Sequence, residues 1–315
     1  MKWGRSSGIS TRSADTPAIH VEIISSGAQQ ALLGPAALAD HITTLNANED
    51  ALSAFPAGLF ALSSLTHLNL GNNNISGPIP SGLGDLSRLE HLGLANNLLS
   101  GGIPPELGNL SQLDYLELDN NALSGAIPVE LANLGNVTFF QLSGNPLSGS
   151  LSPELGNLSS VVYFYISDTQ ISGSIPATLS NLTGVTNVHL SGNQLSAVEP
   201  GTFSGMTRLQ ELRLQDNGFD QAVVDEVIAQ IWGARAAYTA SAPTLEVGGT
   251  NAAPSGQYVD PDTSPGQENN DSNWEWDSEG GCHRPLSALA KVYDLQHDGC
   301  GDGFNRWVVT WTGGP

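Results

Sequence analysis

The chain has 315 residues, of which 39% are apolar and only 13% charged, with 31 acidic side chains against 10 basic ones and a formal net charge of −21. That balance excludes the basic footprint of a nucleic-acid binder and electrostatic attachment to an anionic membrane surface. No run of about 18 apolar residues is present, so no membrane insertion is expected. The 36 glycines and 18 prolines suit a chain that turns often.

Residues 1–17 are polar and proline-punctuated, which predicts disorder. They lack the apolar core of a secretory signal, which fits a cytoplasmic chain, an export route not legible here, or a lost start. Ala18–Ile24 (AIHVEII) reads as a strand. Ala28–Ile42 has helical composition broken at Gly34-Pro35. Residues 1–41 are taken together as a disordered and capping segment ahead of a stacked array.

From 42 to 218 one unit recurs. Asn73, Asn97, Asn121, Asn145, Asn193 and Asn217 stand on a 24-residue grid, and Thr169 keeps the register at its one gap. Asp50 holds the same slot in a degenerate first unit, 23 residues before Asn73. A fixed period of this length marks a solenoid, in which each unit buries its apolar face only against its neighbours. Within the pattern LxxLxxLxLxxNxLSGxIPxxLGxL, alternating leucines such as Leu68 and Leu70, or Leu92 and Leu94, predict a short strand with one buried face. The asparagine turns inward, where its amide satisfies backbone groups of the turn and stacked copies form a ladder. Ile-Pro steps end a second extended piece, and ELGNL makes a short helical turn on the outer side.

The segments LSGGIP (Leu99–Pro104), LSGAIP (Leu123–Pro128) and ISGSIP (Ile171–Pro176) resemble the plant-type subclass of the leucine-rich repeat family. The resemblance covers about half the chain, or about seven full repeats. Two departures stand out. The cysteine pairs that often cap extracellular plant arrays are absent, and the last full repeat has a TFSGM form common in other subclasses. A bacterial source therefore fits as well as a plant one. The resemblance implies an α/β solenoid curved into an arc with a parallel concave β-sheet, used for non-catalytic recognition of a protein or peptide.

Side chains flanking the buried leucines face outward, because they alternate along a strand. The first outward column reads His67, His91, Tyr115, Phe139, Tyr163, Asn187 and Glu211. The next reads Asn69, Gly93, Glu117, Gln141, Tyr165, His189 and Arg213, and a third runs through Gly71, Ala95, Asp119 and Ser143. Tyr115, Phe139, Tyr163 and Tyr165 form an aromatic cluster on a polar sheet, a pattern typical of binding hot spots. The alternative is that these rings only pair across strands and stiffen the sheet. The candidate binding face is His91, Tyr115, Glu117, Phe139, Gln141, Tyr163, Tyr165 and His189. With few charges, it is expected to depend only weakly on salt. No metal or cofactor is expected there. Five sequons, at Asn74, Asn109, Asn136, Asn157 and Asn181, and a serine ladder from Ser76 to Ser196 are explained by the repeat itself. Glycosylation of the sequons, or a ladder facing ice or polysaccharide, are the other readings.

Residues 219–240 read as a C-capping helix, with Val223, Val224, Val227, Ile228, Ile231 and Trp232 at helical spacing. Residues 241–315 form a Gly- and Asp-rich tail, β-rich or partly disordered, resembling tails that follow repeat arrays in bacterial surface proteins. Within it, Leu286–Asp294 reads as a short helix and Trp307–Trp311 as a strand. Cys282 and Cys300 are disulfide candidates, and a bridge would constrain the unfolded chain by about 3 kcal/mol. Inert thiols, a metal set with His283 and His297, and thiol catalysis are the alternatives. The tail acids lack a Dx[DN]x[DN]G loop and read as a solvated linker. A monomeric, extracellular or cell-surface chain with a protein or peptide partner is expected, with a structural or adhesive role as the competing class.

Overall fold

The computed structural model describes residues 19–22, 41–234, 244–248, 251, 274–276, 282–285 and 308–310. The chain divides into two compact units, 1–148 and 149–315. In the first, the strands Ile19–Glu22, Ile42–Asn46, His67–Asn69, His91–Gly93, Tyr115–Glu117 and Phe139–Gln141 run parallel as one sheet. Register is kept from strand to strand: Leu45 pairs with Leu68, Leu68 with Leu92, Leu92 with Leu116 and Leu116 with Phe140. These central residues are fully buried, which fixes the register, since a slip by one residue would turn every leucine to solvent.

On the outer side, each repeat closes with a short 3₁₀ turn, at Ser81–Asp85, Pro105–Asn109 and Val129–Asn133. A proline precedes each turn in extended conformation, so the chain arrives without a backbone donor to satisfy. Gly84 and Gly108 are required there, because a side chain would run into the Glu106 or Glu130 carbonyl of the next repeat. A narrow second sheet, Ser76–Gly77, Leu98–Gly101 and Ala122–Leu123, lines the flank.

The asparagine ladder holds the repeats together. Asn97 Nδ2 donates to Leu94 O of its own repeat at 3.1 Å and to Leu70 O of the preceding one at 2.9 Å. Its Oδ1 accepts from Ile75 N at 3.0 Å. Asn73, Asn121 and Asn145 repeat this arrangement. The residue before each ladder asparagine is left-handed, with φ of 54° at Asn72, 56° at Asn96 and 54° at Asn120, and Gly144 fills the slot at 68°. Asparagine and glycine tolerate that conformation best.

In the second unit, Tyr163–Tyr165, Asn187–His189 and Glu211–Arg213 pair in parallel with the same register. Thr169 fills the ladder slot: its hydroxyl bonds the Asn193 side chain and accepts from Ile171 N at 3.3 Å. The sequence reading closes the array at 218, but the sheet continues. Thr244–Glu246 pairs in register with Glu211–Arg213, and Val308–Thr310 pairs with Thr244–Glu246. Asn251 takes the ladder position, accepting from Asn217 N at 3.1 Å and Phe219 N at 2.9 Å and donating to Leu214 O at 2.9 Å.

The helix Gln221–Ala234 is thus the outer segment of a further repeat rather than a lid beyond the last one. It starts where Asp220 Oδ1 accepts from Val223 N at 2.9 Å and buries Val224, Val227, Ile228 and Ile231. Trp274–Trp276 and Cys282–Pro285 form an antiparallel pair. The helical readings of residues 28–40 and 286–294 lie outside the described residues, as do residues 297 and 300, on which the disulfide and metal alternatives rest. Among the described residues no helix is long and apolar enough to cross a membrane.

Candidate functional site

Each three-residue strand buries its middle residue and leaves two outward positions, so parallel register stacks these positions into columns about 4.8 Å apart. In the first unit the rings of His67, His91, Tyr115 and Phe139 form a continuous stack. Successive centroids lie 6.1, 5.5 and 5.7 Å apart, with interplanar angles of 11°, 25° and 21°. Stacking covers ring faces but not edges, and Tyr115 remains 40% exposed. The His67 and His91 rings lie face to face, so their in-plane nitrogens do not converge on one point.

Beside this stack, Glu117 and Gln141 pair in register on the sheet surface. Glu117 Oε2 is 3.5 Å from His91 Nε2. Burial lowers the His91 pKa and the neighbouring His67 lowers it further, while Asp114 opposes them. Burial raises Glu117, as does the charge of Asp119. Asp119 is also raised by burial, against hydrogen bonds from the backbone and from Asn120.

The second unit carries Tyr163, Tyr165 and His189. Tyr163, 39% exposed, packs tilted against Tyr165 at 6.0 Å. Tyr165 stacks on His189 at 4.3 Å and 20°. His189 Nε2 lies 3.0 Å from Glu211 Oε2, which also accepts from Asn187 Nδ2 at 2.7 Å, while Arg213 takes the other carboxylate oxygen. Burial alone would raise Glu211, but its contacts with His189, Arg213 and Asn187 outweigh that and hold it low. Burial lowers His189 against the pull of Glu211.

All eight predicted face residues therefore sit at outward sheet positions, five in the first unit and three in the second. The sequence reading missed a hollow of about 360 Å³ in the first unit, where the sheet surface meets the loops that follow its strands. Gly71, Gly93 and Ala95 leave it open. Small residues at adjacent column positions were its signal in the sequence.

The fold and its LSGxIP repeats meet their counterparts among known proteins. Leucine rich repeat family models match residues 40–99 and 159–219, and residues 112–134 and 136–158. The chain is a leucine-rich repeat protein. It is of the plant type, and among solved structures it is similar to the ectodomain of the plant membrane receptor kinase GASSHO1/SCHENGEN3 from Arabidopsis thaliana, in complex with CASPARIAN STRIP INTEGRITY FACTOR 2. That match has 30% identity and a TM-score of 0.60 over 69% of this chain and 25% of that one. A second is the Arabidopsis receptor kinase HAESA ectodomain in complex with an N-terminally extended IDA peptide hormone, with 34% identity and a TM-score of 0.55 over 59% of this chain and 32% of that one. A third is a plant ice-binding protein, with 25% identity and a TM-score of 0.54 over 65% of this chain and 66% of that one. The leucine-rich repeat protein thus spans about a quarter to a third of the length of these two receptor chains. No curated protein matches the sequence.

Proposed function

We propose that this leucine-rich repeat protein recognises a protein or peptide ligand, without catalysis, through the concave face of its long sheet. The observation that carries the reading is the outward aromatic surface of each unit: Tyr115 in the first and Tyr163 in the second stay 40% and 39% exposed among largely polar side chains. Ring surface of this kind anchors interfaces at low entropic cost, and polar groups flank it in each unit, Glu117 and Gln141 in the first and His189 in the second. Similarity to receptor ectodomains in complex with CASPARIAN STRIP INTEGRITY FACTOR 2 and with the IDA peptide hormone supports the ligand class. It also supports an extracellular or cell-surface setting.

The test is affinity capture from extract and culture medium of the source organism. Wild type is compared with Tyr115→Ala/Phe139→Ala/Tyr163→Ala after circular dichroism shows both folded. A partner captured by wild type and lost by the triple variant supports the reading, and one retained by both refutes it.

A second reading, ice binding, has one observation in its favour, the similarity to a plant ice-binding protein that is matched over 66% of its length. Its surface would be the flanking strands of a unit, which carry Ser76 and Ser100 in the first and Ser172 and Ser196 in the second. Thermal hysteresis indistinguishable from that of an inert protein at equal concentration would remove it.

A further inference from the structure

The hollow in the first unit has a floor of Gly71, Gly93 and Ala95 and a rim of side chains from five successive repeats, Phe139 among them. Side-chain oxygens come close to its floor. A β-carbon placed on Gly93 would sit 3.2 Å from both Asn69 Oδ1 and Glu117 Oε2 and 3.1 Å from His91 Nε2. One placed on Gly71 would sit 3.1 Å from Asn48 Oδ1, 3.3 Å from Asn69 Oδ1 and 3.4 Å from the Ala95 carbonyl. The atoms nearest the space over the two glycines are oxygens, apart from His91 Nε2.

These oxygens are held in place. Asn69 Oδ1 accepts from Gly71 N at 3.0 Å and Asn48 Oδ1 from Asn72 Nδ2 at 2.9 Å, which orients both amides with their oxygens towards the hollow and leaves lone pairs available. Glu117 and Asp119 both line the hollow, and no lysine or arginine does. The two carboxylates are partly desolvated and repel each other.

A ligand that completes this arrangement brings several donors and a positive charge. A guanidinium does so best: it is planar, permanently charged, and carries five N–H donors in a fixed fork. At about 360 Å³, the hollow is at the small end of ligand pockets, which run from roughly 300 to 1,000 Å³, and suits one long side chain.

We propose that the hollow receives an arginine side chain of an extended peptide laid across the first unit's sheet. This rests on the reading of that sheet as a recognition face and adds the ligand's chemistry to it. The net charge of −21 favours encounter with a basic peptide.

The test is a nuclear magnetic resonance titration of the full chain with N-acetyl-Gly-Arg-Gly-amide. A second arm replaces arginine with citrulline, which keeps the shape and loses the charge, and a third uses lysine. The arginine probe is expected to shift the Gly71 and Gly93 amide signals saturably and to bind roughly tenfold or more tightly than the citrulline probe. Glu117→Gln/Asp119→Asn, which conserves volume, should remove that preference, and Gly93→Val should block the site. Equal binding of the arginine and citrulline probes, or shifts that ignore both variants, overturns the proposal.

Capture experiments separate this idea from the one beneath it. A partner lost by the Tyr115/Phe139/Tyr163 triple variant but kept by Glu117→Gln/Asp119→Asn and Gly93→Val overturns the hollow and leaves the recognition face standing. A partner kept by the triple variant refutes the recognition face, and with it a peptide laid across that face.

Discussion

Replacing Asn97 by alanine isolates what one rung of the ladder contributes. Three carbonyls lose a donor, yet none is stranded. Leu70 O keeps Asn73 Nδ2 at 3.0 Å, Leu94 O keeps Asn121 Nδ2 at 3.0 Å, and Ala95 O keeps the Asn72 N–H at 2.9 Å. The Ile75 N–H, by contrast, loses the acceptor it meets at 3.0 Å and is left buried. An orphaned buried donor costs about 1–3 kcal/mol, and the surrendered second bonds add a few tenths to about 1 kcal/mol. The expected loss is therefore about 1.5–4 kcal/mol, against no more than about 0.5 kcal/mol for the exposed Asn74→Ala.

Urea unfolding gives the total, and hydrogen exchange at the Ile75 amide gives the local part. Because Leu94 O is shared by Asn97 and Asn121, the Asn97→Ala/Asn121→Ala pair should cost more than the sum of its members, by about 0.5 kcal/mol or more. A single variant no worse than Asn74→Ala, or a strictly additive pair, would show that the ladder does not act through shared backbone groups.

Two further outcomes are expected. Asn251→Ala leaves Asn217 N and Phe219 N without their acceptor, so exchange at those two amides should accelerate while that at Ile75 is unchanged; no acceleration would mean that residue 251 is not part of the repeat stack. Stability should also fall as pH drops through about 6.5. The folded chain holds His91 and His189 below that ordinary value through burial, so the unfolded chain takes up protons first and gains on acidification. His91→Gln/His189→Gln should flatten the profile between pH 7.5 and 5.5, and an unaltered slope would refute the assignment. The raised carboxyls of Glu117 and Asp119 act in the opposite sense, their contribution being present at low pH and lost as pH rises through their raised values.

Much of this was written in the sequence because a fixed repeat converts spacing into position. Once Asn73 and Asn97 are known to be equivalent, so are His67 and His91, and the outward columns follow by counting. Counting fails where the period changes. Asn251 lies 34 residues beyond Asn217 instead of 24, because the helix Gln221–Ala234 replaces a five-residue 3₁₀ turn. The run Leu245, Val247, Asn251 still carried the strand-and-turn signal, but off the grid. The hollow was hidden for a different reason. Its oxygens come from Asn48 and Asn69, which belong to different columns and whose amides are oriented only by neighbours two or 24 residues away.

The ladder also gives the array a direction. Every asparagine reaches back to the repeat before it and none reaches forward, so the two ends of the stack are not alike. A repeat removed from the front takes away the groups its successor's asparagine reaches back to, as Asn73 would lose Ala47 O and the Asp50 and Leu52 N–H groups. One removed from the back strips the acceptor from a backbone N–H of its predecessor, as Ile75 N would lose Asn97 Oδ1. After Asn217 that acceptor comes from beyond the regular period, where Asn251 takes the Asn217 and Phe219 N–H groups.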